Sequence, residues 1–296
     1  MAAPRRIAAP LHLRIAGACW LLAACGGGEP PGFDTPESAL HDAEADVYLV
    51  SNIRGAPLEK DGNGYIARVS PGGTMQRYWI EGGKNGVTLH APKGLALAGG
   101  TLWVADIDVV RRFDRRSGAP LGEVAIPGAT FLNDVSVGPD GAVYVSDSGL
   151  DARFEPTGTD AIWKIGRDGV PALLVRSLEL GQPNGIVAQA TGVYVVSWRD
   201  GTFSQVGFDG VRTELGKLPT GQLDGLVRVE AATPGAAPYW LMTSWAGKCV
   251  YRFEVTGACT RLPGLFEQPA DCGFDAERRR LLLPLFGKHR LELLPL

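Results

Sequence analysis

The stretch from Pro183 to Trp198 reads PNGIVAQATGVYVVSW and carries the pattern that decides the fold. A small or apolar residue and one polar residue open a short apolar run. A Thr-Gly turn follows, and then a second run rich in β-branched and aromatic residues. Two such runs around a tight turn predict a β-hairpin. The opening step recurs at five other places, which are Pro36-Glu37-Ser38, Pro92-Lys93-Gly94, Leu132-Asn133-Asp134, Leu223-Asp224-Gly225 and Ala270-Asp271-Cys272.

The six steps are separated by 40 residues (Lys93 to Asn133) to 56 residues (Glu37 to Lys93). Three or four strand-like runs follow each step, and no helical period lies between them. A repeat of this kind predicts an all-β protein, a six-bladed β-propeller spanning residues 36–296, with a two-sheet sandwich as the alternative. Only the 25 residues from 272 to 296 follow Asp271, so a strand from before Glu37 would be needed to complete the sixth blade.

The N-terminal segment has the features of a secretory signal. Arg5, Arg6 and Arg14 precede an apolar stretch over 15–24, and small residues then lead into Cys25. This junction resembles the lipobox of bacterial lipoproteins, which implies a signal peptide over 1–24 and a lipid on the Cys25 thiol. Residues 25–35 are then a flexible tether, and the protein is anchored in the bacterial cell envelope, at the periplasmic face or the outer membrane. Ordinary cleavage near Ala24 and an uncleaved anchor are the alternatives.

Charge and cysteine content narrow the function classes. The net charge is -3, and removing the three arginines of the signal changes it to -6, so binding to nucleic acid is not expected. An oxidising compartment permits disulfides. Cys249 and Cys259 flank a turn at Thr256-Gly257 and form the more favoured pair with Cys272 left over, although three buried thiols remain an alternative.

In a propeller, the six opening steps converge on the central axis. The second strand of each blade returns to the same face, which places six strand ends around one mouth: Asn52, Asp106, Asp147, Trp198, Trp245 and Phe286. Long loops over 53–64 and 148–160, and the connection over 84–91 with His90, lie on that face too. We therefore predict a ligand site there. Trp198 and Trp245 are either ligand platforms or plain packing residues.

Four of the converging residues carry oxygen ligands suited to a divalent metal. Carboxylate and amide oxygens are the donors preferred by Ca²⁺. The predicted ligands are Glu37, Asn133, Asn184 and Asp224, and Ca²⁺ is favoured over Zn²⁺ or Mn²⁺. A ring of polar side chains hydrogen-bonded to axial water, without metal, is the alternative.

The same short phrases resemble the senescence marker protein, gluconolactonase and regucalcin family of six-bladed propellers, and more loosely the paraoxonases. The resemblance implies that Glu37, Asn184 and Asp224 bind the metal, and that Asn133 contacts metal, substrate or water. Lys93 and Asp271 depart from the family pattern. Lys93 either repels the metal or forms an ion pair with Asp271.

Two functions follow. The first is a metal-dependent lactonase or related ester hydrolase acting on a small molecule such as a lactone, with Asp224 as ligand and base and Asp147 and His90 as substitute catalytic groups. Further ligand-binding residues would be Asn133, Lys93, Asp106, Trp198, Trp245 and Asp271. The second is a non-catalytic envelope propeller that binds a ligand or a protein partner on its top face.

Overall fold

The computed structural model describes residues 32–296, which form six antiparallel sheets of consecutive strands. Each sheet is one blade, so the prediction of an all-β, six-bladed β-propeller is confirmed. Blade one contains β1 (Pro36–Asp42), β2 (Val47–Asn52), β3 (Tyr65–Val69) and β4 (Met75–Glu81). Blade two contains β5 (Pro92–Ala98), β6 (Thr101–Asp106), β7 (Val109–Asp114) and β8 (Pro120–Ala125).

The next three blades also have four strands. Blade three contains β9 (Leu132–Val137), β10 (Val143–Asp147), β11 (Ala161–Ile165) and β12 (Pro171–Arg176). Blade four contains β13 (Pro183–Gln189), β14 (Gly192–Ser197), β15 (Thr202–Val206) and β16 (Arg212–Lys217). Blade five contains β17 (Leu223–Val229), β18 (Tyr239–Ser244), β19 (Cys249–Glu254) and β20 (Cys259–Arg261).

Blade six has three strands in the described part of the chain, and two single turns of 3-10 helix interrupt the β pattern. The strands are β21 (Gly273–Asp275), β22 (Arg280–Leu285) and β23 (Arg290–Pro295), and the turns are Leu178–Leu180 and Phe286–Lys288. The expected fourth strand from before Glu37 does not form within residues 32–296. Instead, the Phe33 amide donates one hydrogen bond to the His289 carbonyl at 3.1 Å.

Apolar side chains from neighbouring blades pack together and form the core. Successive residues of the second strands are buried on opposite faces: Val143 and Val145 of β10 pack with Ala105 of β6, and Tyr144 between them packs with Ile186 of β13. Similar clusters join the other blades, because each sheet must bury one face against the next. Phe33, expected in the tether, also lies in such a cluster beside Tyr48 and Leu282.

Two further observations concern the cysteines and the membrane. Cys249, Cys259 and Cys272 are free thiols, and the favoured Cys249–Cys259 pairing is wrong. The register of β19 and β20 places Cys259 opposite Phe253, four residues along the strand from Cys249.

Within residues 32–296, no helix is long and apolar enough to span a bilayer.

Candidate functional site

A β-bulge lies at the opening step of five blades. In blade four, Pro183 pairs with Ser197 and Ile186 with Val195, so Asn184 and Gly185 together oppose the single residue Val196. The same shift occurs at the first strands of blades one, two, three and five. A bulge re-aims side chains and is common beside functional sites. Here it positions the polar residue of each step at the mouth of the central channel.

Hydroxyl side chains on the second strands stabilise three of these bulges. A bulge leaves a backbone N–H without a ladder partner. The Ser38 amide donates to Ser51 Oγ at 2.9 Å, and the Asp134 amide donates to Ser146 Oγ at 2.9 Å. The Gly225 amide donates to Thr243 Oγ1 at 2.7 Å. The direction of the ring side chains is therefore fixed by the backbone and its local partners.

A cavity of about 310 Å³ opens above the bulges, within the range of small-ligand pockets. Its floor consists of five of the six opening-step polar residues, which are Glu37, Lys93, Asn133, Asn184 and Asp224. All five are buried. Its sides, which we call the apolar wall, consist of Ile53, Pro57, Phe131, Leu150, Phe154, Trp198, Trp245 and Phe286.

The two long loops lie over this cavity, where they were expected. The loop over 53–64 contributes Ile53 and Pro57, and the loop over 148–160 contributes Leu150 and Phe154. Trp198 and Trp245 pack edge to face, with ring centroids 5.3 Å apart. Both tryptophans line the cavity, so they are available as ligand platforms and also pack against each other.

Three other predicted residues lie outside the lining of the cavity. Asp106 accepts hydrogen bonds from the His90 and Ala91 amides, and Asp147 accepts one from the Phe131 amide at 2.9 Å. The Gly62 amide donates to His90 Nδ1 at 3.0 Å. These groups hold the loops that form the mouth. A catalytic role for Asp147 or His90 stays a prediction that their positions do not support.

Asp271 lies at a different level of the channel from the other ring residues. It lines a second cavity, of about 290 Å³, together with Ser38 and Asp134. The Ser38 hydroxyl donates to the Asp271 carboxylate, and the Asp271 amide donates to the Glu37 carbonyl at 2.8 Å. Because Asp271 is engaged there, it is absent from the lining of the upper cavity.

The proposed ion pair between Lys93 and Asp271 is therefore wrong. Lys93 Nζ donates to the carbonyls of Pro57 at 2.9 Å and Ala91 at 3.0 Å, and it lies 4.8 Å from the centroid of the Phe131 ring. Within residues 32–296 it forms no salt bridge. Lys93 thus ties the loop over 53–64 to the floor and keeps its charge at the cavity.

The electrostatics of the floor are unfavourable for two ionised carboxylates. Burial raises the pKa of Glu37 well above its usual value, and Asp224 and Asp271 add to the effect, while Lys93 opposes it. Burial and Asp271 likewise raise the pKa of Asp224, whereas the polar side-chain groups of Trp245 and Asn184 beside it partly lower the pKa. Burial lowers the pKa of Lys93 to about 8, although Glu37 partly offsets this. A further positive charge would stabilise both carboxylates in ionised form.

Three oxygens of the floor are buried and have no hydrogen-bond partner in the described chain. They are Glu37 Oε2, Asn184 Oδ1 and Asp224 Oδ1. Buried polar atoms are almost always satisfied, so three orphaned acceptors at one cavity indicate a missing donor or cation. Carboxylate and amide oxygens are the donor set of Ca²⁺, which fits this floor.

The donor set depends on amide oxygens. Within residues 32–296, no three Asp, Glu, His or Cys side chains are grouped closely enough to hold a metal by themselves. Asn184 and Asn133 would have to complete the site. Asn133 is oriented by its Nδ2, which donates to Ser148 Oγ at 3.1 Å, so its carbonyl oxygen is the atom left for a ligand.

Several residues of the site were not singled out from the sequence. Ser148 links the floor residue Asn133 to the opening step of blade four, since its hydroxyl donates to the Pro183 carbonyl at 2.7 Å and accepts from Asn133. Phe131, Leu150 and Phe154 supply much of the apolar wall. Phe131 directly precedes an opening step, so an aromatic residue at that place was a usable signal. Leu150 and Phe154 lie in an irregular loop, where no period marks them.

Comparisons with known proteins place the fold. No family model and no curated protein matches the sequence. Among solved structures, a gluconolactonase from Xanthomonas campestris is similar with a TM-score of 0.66 and 18% identity, over 89% of this chain and 86% of that chain. A streptogramin B lyase is similar with a TM-score of 0.62 and 11% identity, over 89% and 95%.

A luciferin-regenerating enzyme is also similar, with a TM-score of 0.61 and 14% identity, over 86% of this chain and 85% of that chain. At such low identity these likenesses show the six-bladed fold that the chain shares with them. Propellers carry many chemistries, so activity must be argued from the site.

Proposed function

We propose that this protein is a metal-dependent, lactonase-like hydrolase with its active site in the upper cavity. The observation that supports it most is the set of orphaned oxygens of Glu37, Asn184 and Asp224 on one buried floor. A second support is fold similarity to gluconolactonases, which extends over nearly the whole described chain. Ca²⁺ is the favoured ion, because the donors are all hard oxygens.

In this proposal Glu37, Asn184 and Asp224 hold the metal, and Asn133 holds either the metal or a substrate oxygen. A divalent ion bound there supplies a Lewis acid for the acyl carbonyl and lowers the pKa of a bound water. Asp224 accepts the proton of the attacking water, as a buried floor carboxylate that the divalent ion would keep ionised. Addition of water to the acyl carbon breaks the ring ester bond, and that proton then passes to the leaving alkoxide.

Lys93 has a supporting role at the same floor. Its Nζ donates two hydrogen bonds, to the Pro57 and Ala91 carbonyls, so the third N–H is available for a substrate oxygen. A donor fixed in a buried site stabilises developing negative charge on the acyl oxygen without reorganisation. The apolar wall excludes water from the reacting bond.

The test is lactone hydrolysis by the purified protein, assayed after chelation and after adding back Ca²⁺, Mn²⁺ or Zn²⁺ separately. We expect turnover that requires the metal and falls at least about a hundredfold in Asp224→Asn. Asp140→Asn, a surface carboxylate paired with Lys164, is the matched control and should keep full turnover. Bound metal without turnover across a broad lactone panel would contradict the proposal.

A second candidate is a non-catalytic envelope propeller that binds a ligand or a protein partner at the same mouth. One observation favours it: the side chains of Asp147 and His90 are engaged with backbone amides and lie outside the cavity lining. Saturable ligand binding without product, or a partner recovered from envelope extract and lost when the loop over 53–64 is altered, would support this candidate over the first.

A further inference from the structure

Most polar side chains of the upper cavity lie on its floor. Above the floor, the side chains of the lining are apolar or aromatic, except for Ser148. The Ser148 hydroxyl is already used, because it donates to the Pro183 carbonyl and accepts from Asn133. Only the indole N–H groups remain on the wall, and the buried one of Trp245 has no partner in the described chain.

This distribution discriminates between classes of lactone. A sugar lactone carries a hydroxyl on nearly every ring carbon, and each needs a partner when it leaves water. The wall supplies no side-chain acceptor for these hydroxyls, and in the proposed site the floor oxygens are occupied by the metal and the reacting ester group. An alkyl or aryl substituent needs no partner and is stabilised by contact with the wall.

The wall is also built for a bulky apolar substituent. Trp198, Trp245 and Phe286 form a run of aromatic contacts, with successive centroids 5.3 Å apart. On the loop over 148–160, the ring centroid of Phe154 lies 6.0 Å from that of Phe131. About half of the surface of Phe154 remains exposed (52%). A ligand between these groups would cover apolar surface that the folded chain leaves open to solvent.

From this geometry we propose, building on the hydrolase function above, that the substrates are lactones or esters with an apolar side group, and that polyhydroxylated sugar lactones are discriminated against. The ester group contacts the polar floor and the apolar group contacts the wall.

The experiment compares three lactones, namely γ-butyrolactone, γ-nonalactone and glucono-δ-lactone. We expect kcat/KM for γ-nonalactone to exceed that for each of the others by about tenfold or more, since each buried methylene adds to binding. Phe154→Ala should lower kcat/KM for γ-nonalactone about fivefold and leave γ-butyrolactone within about twofold. Phe208→Ala, which truncates another exposed phenylalanine (45% against 52% for Phe154) outside the cavity lining, is the matched control.

Binding of non-hydrolysable lactams separates this inference from the proposed function. Calorimetry is used with 5-pentyl-2-pyrrolidinone, 2-pyrrolidinone and gluconolactam. Hydrolysis of glucono-δ-lactone as fast as γ-nonalactone would overturn the inference and leave the hydrolase function standing. No hydrolysis of any lactone, with tighter binding of the pentyl lactam, would overturn the function and support the apolar preference. Neither hydrolysis nor a difference in lactam binding would overturn both.

Discussion

Lys93 is the residue that most distinguishes this site from a plain oxygen-ligand ring. It is almost fully buried (1% exposed) and shares the floor with Glu37 and Asp224, and its hydrogen-bond partners within residues 32–296 are two backbone carbonyls. Its ammonium group offsets part of the negative charge of the floor carboxylates. It therefore weakens their attraction for a metal ion. The same group fastens the loop over 53–64 to the floor.

We predict that Lys93→Met raises the affinity for Ca²⁺ by about tenfold, because it removes one positive charge from a buried site. Titration calorimetry measures the change. Lys164→Met, which removes an exposed lysine paired with Asp140, should leave the affinity unchanged. Unchanged or weaker Ca²⁺ binding by a folded Lys93→Met variant would be incompatible with a metal seated beside Lys93.

At the residue scale, the sequence predicted which polar residues reach the axis but not their depth. The repeat places Asp271 in the same phase as Glu37, yet Asp271 faces Ser38 and Asp134 in the second cavity. The sixth step lies between the Pro269–Leu285 bridge and the Gly273–Leu282 pair, and its Asp271 side chain accepts a hydrogen bond from Ser38. The position in the repeat therefore predicted that Asp271 lies with Glu37, whereas its hydrogen bond to Ser38 places it in the second cavity.

At the scale of elements, the first strands approach one another closely around the axis. A Cβ added at Gly185 would lie 2.4 Å from the Asp224 carbonyl oxygen, and one at Gly225 would lie 2.4 Å from the Cys272 amide nitrogen. Such contacts are with backbone, which cannot move aside without shifting a neighbouring blade. In blades two, four and five, a glycine after the polar residue therefore allows the bulge to approach the backbone of the next blade.

We predict that Gly185→Ala destabilises the protein by about 2–3 kcal/mol and weakens metal binding, because the clash displaces Asp224 relative to Asn184. Chemical denaturation and Ca²⁺ titration measure the two effects. Gly100→Ala is the control, since a Cβ there meets nothing within 4 Å. Equal stability of the two variants would mean that the first strands are less tightly packed than described.

The starts of the first strands were predictable from the sequence, since five opening steps coincide with the starts of β1, β5, β9, β13 and β17. The bulges themselves were not predicted. Their signals were the hydroxyl residues Ser51, Ser146 and Thr243 on the second strands, whose side chains bind bulge amides. Serine and threonine are common in strands, so their role in binding the bulge amides became evident only from the pairing of the first and second strands.

At the scale of the whole molecule, side chains help to close the ring between blades six and one. Tyr48 donates to the Asp275 carboxylate at 2.7 Å, and the Arg278 guanidinium donates to both Asp275 and Asp46. Burial alone would raise the pKa of Asp275, but hydrogen bonds from the Arg278 amide, Tyr48 and the Arg278 guanidinium lower it to about 2. The ionised carboxylate therefore stabilises the closure.

We predict that Asp275→Asn lowers the free energy of unfolding by about 2 kcal/mol near neutral pH. Because the folded pKa lies below the unfolded value, this stabilisation is present above about pH 4 and is lost as the pH falls toward about 2. Denaturation of both proteins across that range should show the difference shrinking. Asp108→Asn, at an exposed pair with Lys60, is the control. A pH-independent difference would argue against an ionised Asp275 at the closure.

The predicted lipid anchor falls on the N-terminal residues, which lie outside the described range of 32–296. We predict that Cys25→Ser moves the protein from the membrane fraction to the soluble envelope fraction, because a lipid on Cys25 would be the attachment. Fractionation and labelling with a radioactive fatty acid test this. Cys19→Ser, a second cysteine in the apolar stretch, should leave both unchanged. Membrane attachment that persists in Cys25→Ser would contradict the lipoprotein prediction.

In the proposed site, the buried floor binds one divalent cation through Glu37, Asn184 and Asp224. The most direct test is Ca²⁺ titration calorimetry on chelator-treated protein, for wild type, Glu37→Gln and the surface control Asp140→Asn. We expect one ion per chain in wild type and control, and an affinity at least about thirtyfold weaker in Glu37→Gln. No Ca²⁺ binding by wild type, or equal binding by Glu37→Gln, would contradict it.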